Sequence, residues 1–353
     1  MTYTNDKISI SGCTSIAWNT NDNKHIWGRN YDYNTIAPSY VTVLPKKYAY
    51  YTAGCVYDKN LNDENIIKSK YNVVGISTLV MKSTPVFYEG INDQGLMGGQ
   101  LFYAGYAHFP FSPLPNHKPL NPGFVVTHVL AQCKNNNEVI DLLTNKYTCI
   151  NQQLGNKDIT VHWVFTDRSG KSIIIEPDKD GLNIYKNNNG VMTNSPDYPW
   201  HKKNLLTYLN IQNTEFPDRI MNGIEVKKPF KGTGALGLPG DFTSQSRFIR
   251  ASFLKYFGIK GENEKEGIAY LFRFLDNVAM PLGIVKVNNN EKNGLNNYDT
   301  SIYTCAMCSE SLNFYWKTYR NSNIYYIDLN NELNNDKIKT FDLKYDPEFT
   351  KLN

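Results

Sequence analysis

Cys13-Thr14-Ser15-Ile16-Ala17-Trp18, followed by Asn19-Thr20-Asn21-Asp22-Asn23-Lys24 and then His25-Ile26-Trp27-Gly28-Arg29-Asn30-Tyr31-Asp32, is the stretch on which the fold turns. β-Branched and aromatic residues fill its two ends and turn formers fill its middle, so it is expected to form a hairpin of two strands. Cys13 opens the first strand directly after Gly12. A cysteine that became the first residue of the chain would carry a thiol and a free α-amine on one Cα, which makes a nucleophile with its own base. Arg29 and Asp32 lie one hairpin away. A guanidinium near the sulfur favours thiolate, and a carboxylate can orient the amine. The same residues also fit a buried structural thiol beside a surface salt bridge.

Working outward, further short strands are expected at 41–44, 48–52, 73–77 and 85–88, with the polar insertion 58–70 as a surface loop. Pro122 can start a helix carrying Phe124, Val125, His128, Val129 and Cys133, and a second set of turns runs through Val139, Ile140, Leu142 and Leu143. Strands at 160–166 and 172–176 flank the turn Asp167-Arg168-Ser169-Gly170, and 182–185 and 190–193 extend the sheet. A helix is expected from near His201 through Leu205, Leu206 and Leu209. The glycine-rich stretch 232–240 leads to Asp241 and Thr243, N-caps for a helix carrying Phe248, Ile249, Phe253 and Leu254. Another helix spans 264–280, and strands return at 301–307, 314–319 and 323–329. Strand sets at both ends with helices between them imply a single layered α+β domain in which early and late strands pair.

The chain has 353 residues, 41% of them hydrophobic, enough for a sizeable core. Its net charge of +4 is scattered, without the basic stripe that a nucleic acid partner requires. The six cysteines, Cys13, Cys55, Cys133, Cys149, Cys305 and Cys308, sit mostly in apolar runs of a chain too long to need disulfide staples, and are expected to be cytoplasmic reduced thiols. Residues 1–12 have no apolar run of signal-peptide type, and no stretch approaches the roughly 20 apolar residues of a membrane helix. Cys305-Ala306-Met307-Cys308 lacks a second ligand pair, the histidines lack metal spacing, and 232–240 lacks the pattern and lysine of a phosphate loop. Neither metal nor cofactor is expected.

The first hairpin, with Gly90-Ile91-Asn92-Asp93-Gln94-Gly95-Leu96-Met97-Gly98, Val191-Met192-Thr193-Asn194-Ser195-Pro196, and Leu238-Pro239-Gly240-Asp241-Phe242-Thr243 followed by Arg247, resembles the choloylglycine hydrolase family of N-terminal-nucleophile hydrolases. The resemblance implies a four-layer αββα fold and a homotetramer. It implies that residues 1–12 are a leader whose removal frees Cys13, leaving 13–353 as one domain with 210–231 as an assembly arm. Cys13 would be the nucleophile, with Arg29, Asp32, Asn194 and Arg247 as the other catalytic residues. The oxyanion hole would be made by the Asn194 side chain and the backbone N–H of Phe102.

Within that family, penicillin V acylases typically carry Tyr and bile salt hydrolases Asn where this chain has Phe102. Phe102, the run Gly95-Leu96-Met97-Gly98 and Glu176-Pro177-Asp178-Lys179 resemble the acylase branch more closely. Penicillin V is therefore the expected substrate, a small-molecule amide. Conjugated bile salts are the alternative, acyl-homoserine lactones a third, and a non-catalytic or unprocessed homologue the reading from another class. Tyr31, Met81, Phe102, Tyr103 and Tyr106 are the candidates to line the substrate pocket.

Overall fold

A computed structural model describes residues 12–35, 39–54, 63–81, 84–154, 158–228, 230–287 and 297–353. In chain order the first strands are β1 Cys13–Asn19, β2 His25–Tyr33, β3 Tyr40–Leu44, β4 Ala49–Tyr51, β5 Ile66–Lys68, β6 Val73–Met81, β7 Thr84–Asn92 and β8 Met97–Phe102. Then come β9 Lys118–Leu120, β10 Tyr147–Cys149, β11 Val161–Thr166, β12 Ser172–Asp178, β13 Gly181–Tyr185, β14 Val191–Met192, β15 Arg219–Met221 and β16 Ile224–Val226. β17 Val285–Lys286, β18 Tyr298–Cys308, β19 Asn313–Thr318, β20 Tyr325–Asp328 and β21 Lys339–Phe341 complete the set. The helices are α1 Val125–Gln132, α2 Asn136–Asn145, α3 Tyr198–Asn204, α4 Ser244–Phe257 and α5 Glu264–Asn277.

Two antiparallel sheets dominate. The first runs β14-β1-β2-β18-β19-β20, with β17 on β18, and the second runs β13-β12-β11-β8-β7-β6-β3-β21. Helices α4 and α5 pack on the first sheet, and α1 packs on β7 and β8 of the second. One core holds Trp27, Val74, Met97 and Leu101 together with Phe248 and Leu271, and a second lies under α1 and α2 with Phe87, Leu130 and Trp163. With sheet on one side and helix on the other, β1 and β11 are buried almost end to end. Double burial explains why neither strand alternates apolar residues with charged, solvent-facing ones. The expected α+β, four-layer architecture is the one observed.

Register sets the site. Across β1 and β2, Cys13 faces Tyr31 and Ser15 faces Arg29. On the other side of β2, Cys305 faces Arg29 and Ser301 faces Asp32, so β18 flanks both charged residues. β14 pairs with β1 through Ser15 and Met192 and then delivers Asn194 beside the start of β1. Thr243 caps α4, its side chain accepting from Ser246 N, which puts Arg247 in the first turn.

Several elements differ from expectation. In the insertion 58–70, residues 58–62 lie outside the described residues, but β5 pairs with β4 because Ile67, opposite Tyr50, packs on the second core. α3 starts at Tyr198, capped by Asp197, and gives way to a 3-10 turn at Leu205–Tyr208 that leaves Leu206 and Leu209 exposed. β8 has no counterpart in the sequence reading, since Gly98 and Gly99 weaken its strand signal. A Cβ at Gly98 would collide with Val164 O and Phe165, and one at Gly99 with Glu89 and Tyr88 O, so close approach of neighbouring strands requires both glycines.

Candidate active site

Cys13 is 3% exposed. Its backbone N donates to Asn194 Oδ1 at 2.7 Å, its carbonyl oxygen accepts from Arg247 Nη1 at 2.6 Å, and Arg29 Nη2 donates to its sulfur at 2.7 Å. Arg247 Nη2 also donates to Asn194 Oδ1 at 2.8 Å, and Arg247 Nη1 lies 3.9 Å from Asp32 Oδ2. The five residues singled out as catalytic in the sequence therefore meet in one buried cluster. Burial pushes the Cys13 thiol up and Arg29 pulls it back, while the Asp32 carboxyl adds to the burial effect. The net direction is upward, so Arg29 offsets desolvation without overcoming it.

Gly12 fits because it has no side chain: a Cβ would collide with the Met280 methyl and sit 3.2 Å from both Arg247 Nη2 and Asp32 Oδ2. Its carbonyl accepts from Asp32 N at 3.0 Å. Residues 1–11, expected to be a leader, lie outside the described residues.

Behind the sulfur, Arg29 Nη1 meets Glu89 Oε2 at 3.0 Å and Gln100 O at 2.7 Å. Tyr303 OH donates to Glu89 at 2.9 Å, and burial lifts the Glu89 carboxyl to about 7 against the pull of Arg29. Sequence reasoning missed Glu89. The available signal was a lone acid inside the apolar run of β7, which must find a cation, and Arg29 is the matching lone cation in β2.

Asp32 accepts from Ser301 Oγ at 2.5 Å on Oδ1, while Oδ2 has no hydrogen-bond partner among the described residues. Burial lifts Asp32 to about 6 against the pull of Arg247. Asp299, two residues before Ser301 and also buried, is lifted to about 7 by burial first and by the Asp32 charge second. Ser301 and Asp299 were missed as well, because nothing in β18 separates them from ordinary strand polar residues.

Asn194 is held from several sides. Its Nδ2 donates to Phe102 O at 2.9 Å, its backbone N donates to Ser244 Oγ, and its carbonyl accepts from His201 Nε2 at 2.9 Å. Burial lowers His201 to about 4, so its ring is neutral at pH 7, in keeping with a structural role. One step back, His162 contacts Thr193 O at 3.0 Å and Glu176 at 3.1 Å.

The expected substrate-lining residues separate into groups. Tyr31 is half-buried opposite Cys13, stacked on Tyr303 with centroids 4.9 Å apart and beneath the Arg29 guanidinium at 5.0 Å. Phe102 meets the cluster through its carbonyl. Tyr103 is fully buried, stacked on His162 and donating to Asp178, and Tyr106 packs beside it at 5.4 Å. Tyr103 thus braces the wall behind Asn194, because its ring is committed to His162. The Met81 side chain lies outside the described residues.

The free Cys305 and Cys308 lie within β18. Among the described residues no group of three or more His, Cys, Asp or Glu is placed to hold a metal ion, and no helix is long and apolar enough to cross a membrane.

Residues 13–341 match the family of linear amide C-N hydrolases, choloylglycine hydrolase family. The chain belongs to that family. As a choloylglycine hydrolase family member it is an amidohydrolase acting on linear amides. It is 32% identical over 333 residues to the bile salt hydrolase/transferase of Clostridium perfringens, covering 93% of this chain and 96% of that protein. It is 29% identical to the bile salt hydrolase/transferase of Lactiplantibacillus plantarum, over 97% of this chain and all of that protein. Its fold overlays a mutant of the conjugated bile acid hydrolase from Clostridium perfringens with TM-score 0.85 and 30% identity, over 97% of this chain and 100% of that one. The penicillin V acylase of Agrobacterium tumefaciens overlays with TM-score 0.72 at 21% identity, covering 93% of this chain and 90% of that one, a likeness of fold alone.

Phe102 and the two short runs pointed to penicillin V, whereas the relatives matched along nearly the whole chain are bile salt hydrolases and the penicillin V acylase is alike in fold alone.

Proposed function

We propose that this family member hydrolyses conjugated bile salts. The observation that carries the reading is the match at 29 to 32% identity, across nearly the whole of both chains, to bile salt hydrolases. Cys13, once residues 1–12 are removed, attacks the carbonyl carbon of the amide, and its thiol proton passes to its own α-amine. Negative charge develops on the carbonyl oxygen. The second N–H of Asn194 Nδ2 and the backbone N–H of Phe102 stabilise it, each worth about 3–4 kcal/mol in a site without water. Collapse breaks the C–N bond, the α-ammonium returns its proton to the departing amine, and water then hydrolyses the thioester with the amine as base. Asp32 Oδ2, which accepts no hydrogen bond among the described residues, is available to hold the α-ammonium, and Arg247 keeps the nitrogen, Asn194 and Asp32 in one frame.

Tyr31, with Tyr33, Tyr88 and Tyr303 around it, offers an aromatic floor for an apolar acyl body. Residues 210–231 serve in this reading as the arm of a homotetramer. The hairpin β15–β16 within it exposes Ile220, Met221, Ile224 and Val226, whereas Ile211 near its start is buried at 7%. The cytoplasm is the proposed compartment, in line with free thiols at all five described cysteines. The deciding experiment is kcat/KM for the mature enzyme on glycocholate, penicillin V and an acyl-homoserine lactone. Glycocholate should lead by at least tenfold, and a preference for penicillin V would overturn the assignment.

A further inference from the structure

At the far end of β1 and α4 from the nucleophile lies a cavity of about 820 Å³ that the hydrolytic mechanism does not use. Trp18 is five residues along β1 from Cys13, roughly 17 Å at strand rise, and Lys255 is eight residues along α4 from Arg247, about 12 Å at helical rise. Its walls are largely apolar, with Trp18, Leu205, Ile249, Phe253 and Phe257 among them. Among its polar lining residues, which also include Asn19, Gln212 and Lys260, Lys255 stands with Asn189 and Ser252, the last two bonded to each other at 2.9 Å.

Lys255 makes no ion pair or hydrogen bond among the described residues, although its amine is half-buried against the backbone. A Cβ at Gly190 would collide with its Nζ, so the absence of a side chain there admits the amine. Burial alone lowers Lys255 to about 8, with no carboxylate acting on it. The C-terminal end of α4 offers only the partial negative charge of its last carbonyls. Sites of this volume, mostly apolar with a few placed polar groups, suit ligands of small-molecule size.

We infer that this cavity binds an amphipathic monocarboxylate, its carboxylate on Lys255 and its aliphatic body along the Trp18 and Phe253 walls, at a site separate from Cys13. The charge complementarity selects this occupant over a neutral lipid, because a neutral molecule would leave the ammonium unpaired in an apolar cavity.

The test is isothermal titration calorimetry of dodecanoate and dodecan-1-ol into the full assembled protein, below their aggregation concentrations. Dodecanoate should bind at least tenfold more tightly than the alcohol. Lys255→Met should remove that advantage while leaving turnover at Cys13 within about twofold, which also shows that the variant folds. Leu209→Glu, at an exposed rim position, should weaken dodecanoate at least fivefold by placing a like charge at the entrance. Equal affinity of Lys255→Met and the parent chain for dodecanoate overturns the inference. So does failure of dodecanoate to bind the assembled protein, the result expected if a second copy of the chain fills the cavity.

Discussion

Arg29 and Glu89 form a fully buried ion pair, Nη1 to Oε2 at 3.0 Å, directly behind the Cys13 sulfur. Arg29 reaches four acceptors through its planar fork, including Asn30 O from Nε, which a lysine cannot reproduce. Arg29→Lys should keep the fold, because Glu89 retains a cation, and lower kcat/KM on the preferred substrate at least 100-fold. Arg29→Met should instead destabilise by about 3–5 kcal/mol at pH 8, where the buried Glu89 has lost its cation and must either stay charged unpaired or take up a proton that the unfolded chain lacks. Glu89 already sits at about 7, and loss of Arg29 raises it further, so at pH 5 the carboxyl is neutral and the penalty shrinks. Urea denaturation at the two pH values checks this; an equal penalty at both would refute it.

Asn194 uses both ends of its amide. Oδ1 accepts from Cys13 N and Arg247 Nη2, and Nδ2 gives one proton to Phe102 O, which leaves the other for the oxyanion role proposed above. Asn194→Ala should lower kcat by about 100- to 1,000-fold, the usual effect of losing one such donor. Asn194→Asp keeps the acceptor and loses the donor. It should be as inactive as the alanine variant if oxyanion stabilisation is what Asn194 contributes, and largely active if positioning Cys13 N is enough. Single-turnover kinetics on glycocholate separates the two, and we expect inactivity.

The hairpin that carries Cys13, Arg29 and Asp32 was legible because turn formers at 19–24 punctuate two strand-forming runs. The position of Arg247 was equally legible, since Thr243 signals the start of α4 and puts Arg247 in its first turn. What escaped was pairing between distant strands. Glu89 meets Arg29 only because β7 and β2 belong to sheets stacked face to face, and Ser301 meets Asp32 only through the register of β18 on β2. Neither relation leaves a local pattern. β8 escaped for a different reason, as its two glycines serve close strand approach at the expense of intrinsic strand preference.

Asp299 gives a pH-dependent stability effect of known sign. Its folded-state value of about 7 lies above the ordinary 3.8, so the folded protein holds a proton that the unfolded chain releases, and stability falls as pH rises across that window. Full expression of the effect would be about 1.4 kcal/mol per pH unit. Asp299→Asn removes the term, so the variant should gain on the parent protein between pH 4 and pH 7.5 by at least about 1 kcal/mol, less than that maximum because the carboxyl can still find water on partial opening. Parallel stability curves would show that Asp299 ionises without penalty.

The exposed side chains of the β15–β16 hairpin predict an assembly effect. If the proposed tetramer forms through this hairpin, replacing residues 219–226 by a short glycine linker should leave a smaller species in light scattering than the parent chain, with the monomer fold retained because every residue of both strands is exposed. A tetramer that survives the deletion would place the assembly surface elsewhere.

The proposed removal of residues 1–12 predicts attack on the Gly12–Cys13 peptide bond by the Cys13 sulfur. In this N-to-S acyl shift the sulfur adds to the Gly12 carbonyl carbon, negative charge builds transiently on Gly12 O, and collapse breaks the C–N bond as the former thiol proton passes to the Cys13 nitrogen, leaving a thioester and an amine. Asp32 N already donates to Gly12 O at 3.0 Å, and Asn194 Oδ1 accepts from the Cys13 nitrogen at 2.7 Å. Water then releases residues 1–12 from the thioester. Intact-mass spectrometry should therefore find the parent chain beginning at Cys13 and the Cys13→Ala variant still carrying residues 1–12. Cys13→Ser should fold and process slowly, since the hydroxyl is a weaker nucleophile than the thiol. A Cys13→Ala chain trimmed to residue 13 would assign the cleavage to a separate peptidase, and the Asp32 N–H would then hold the bond without acting on it.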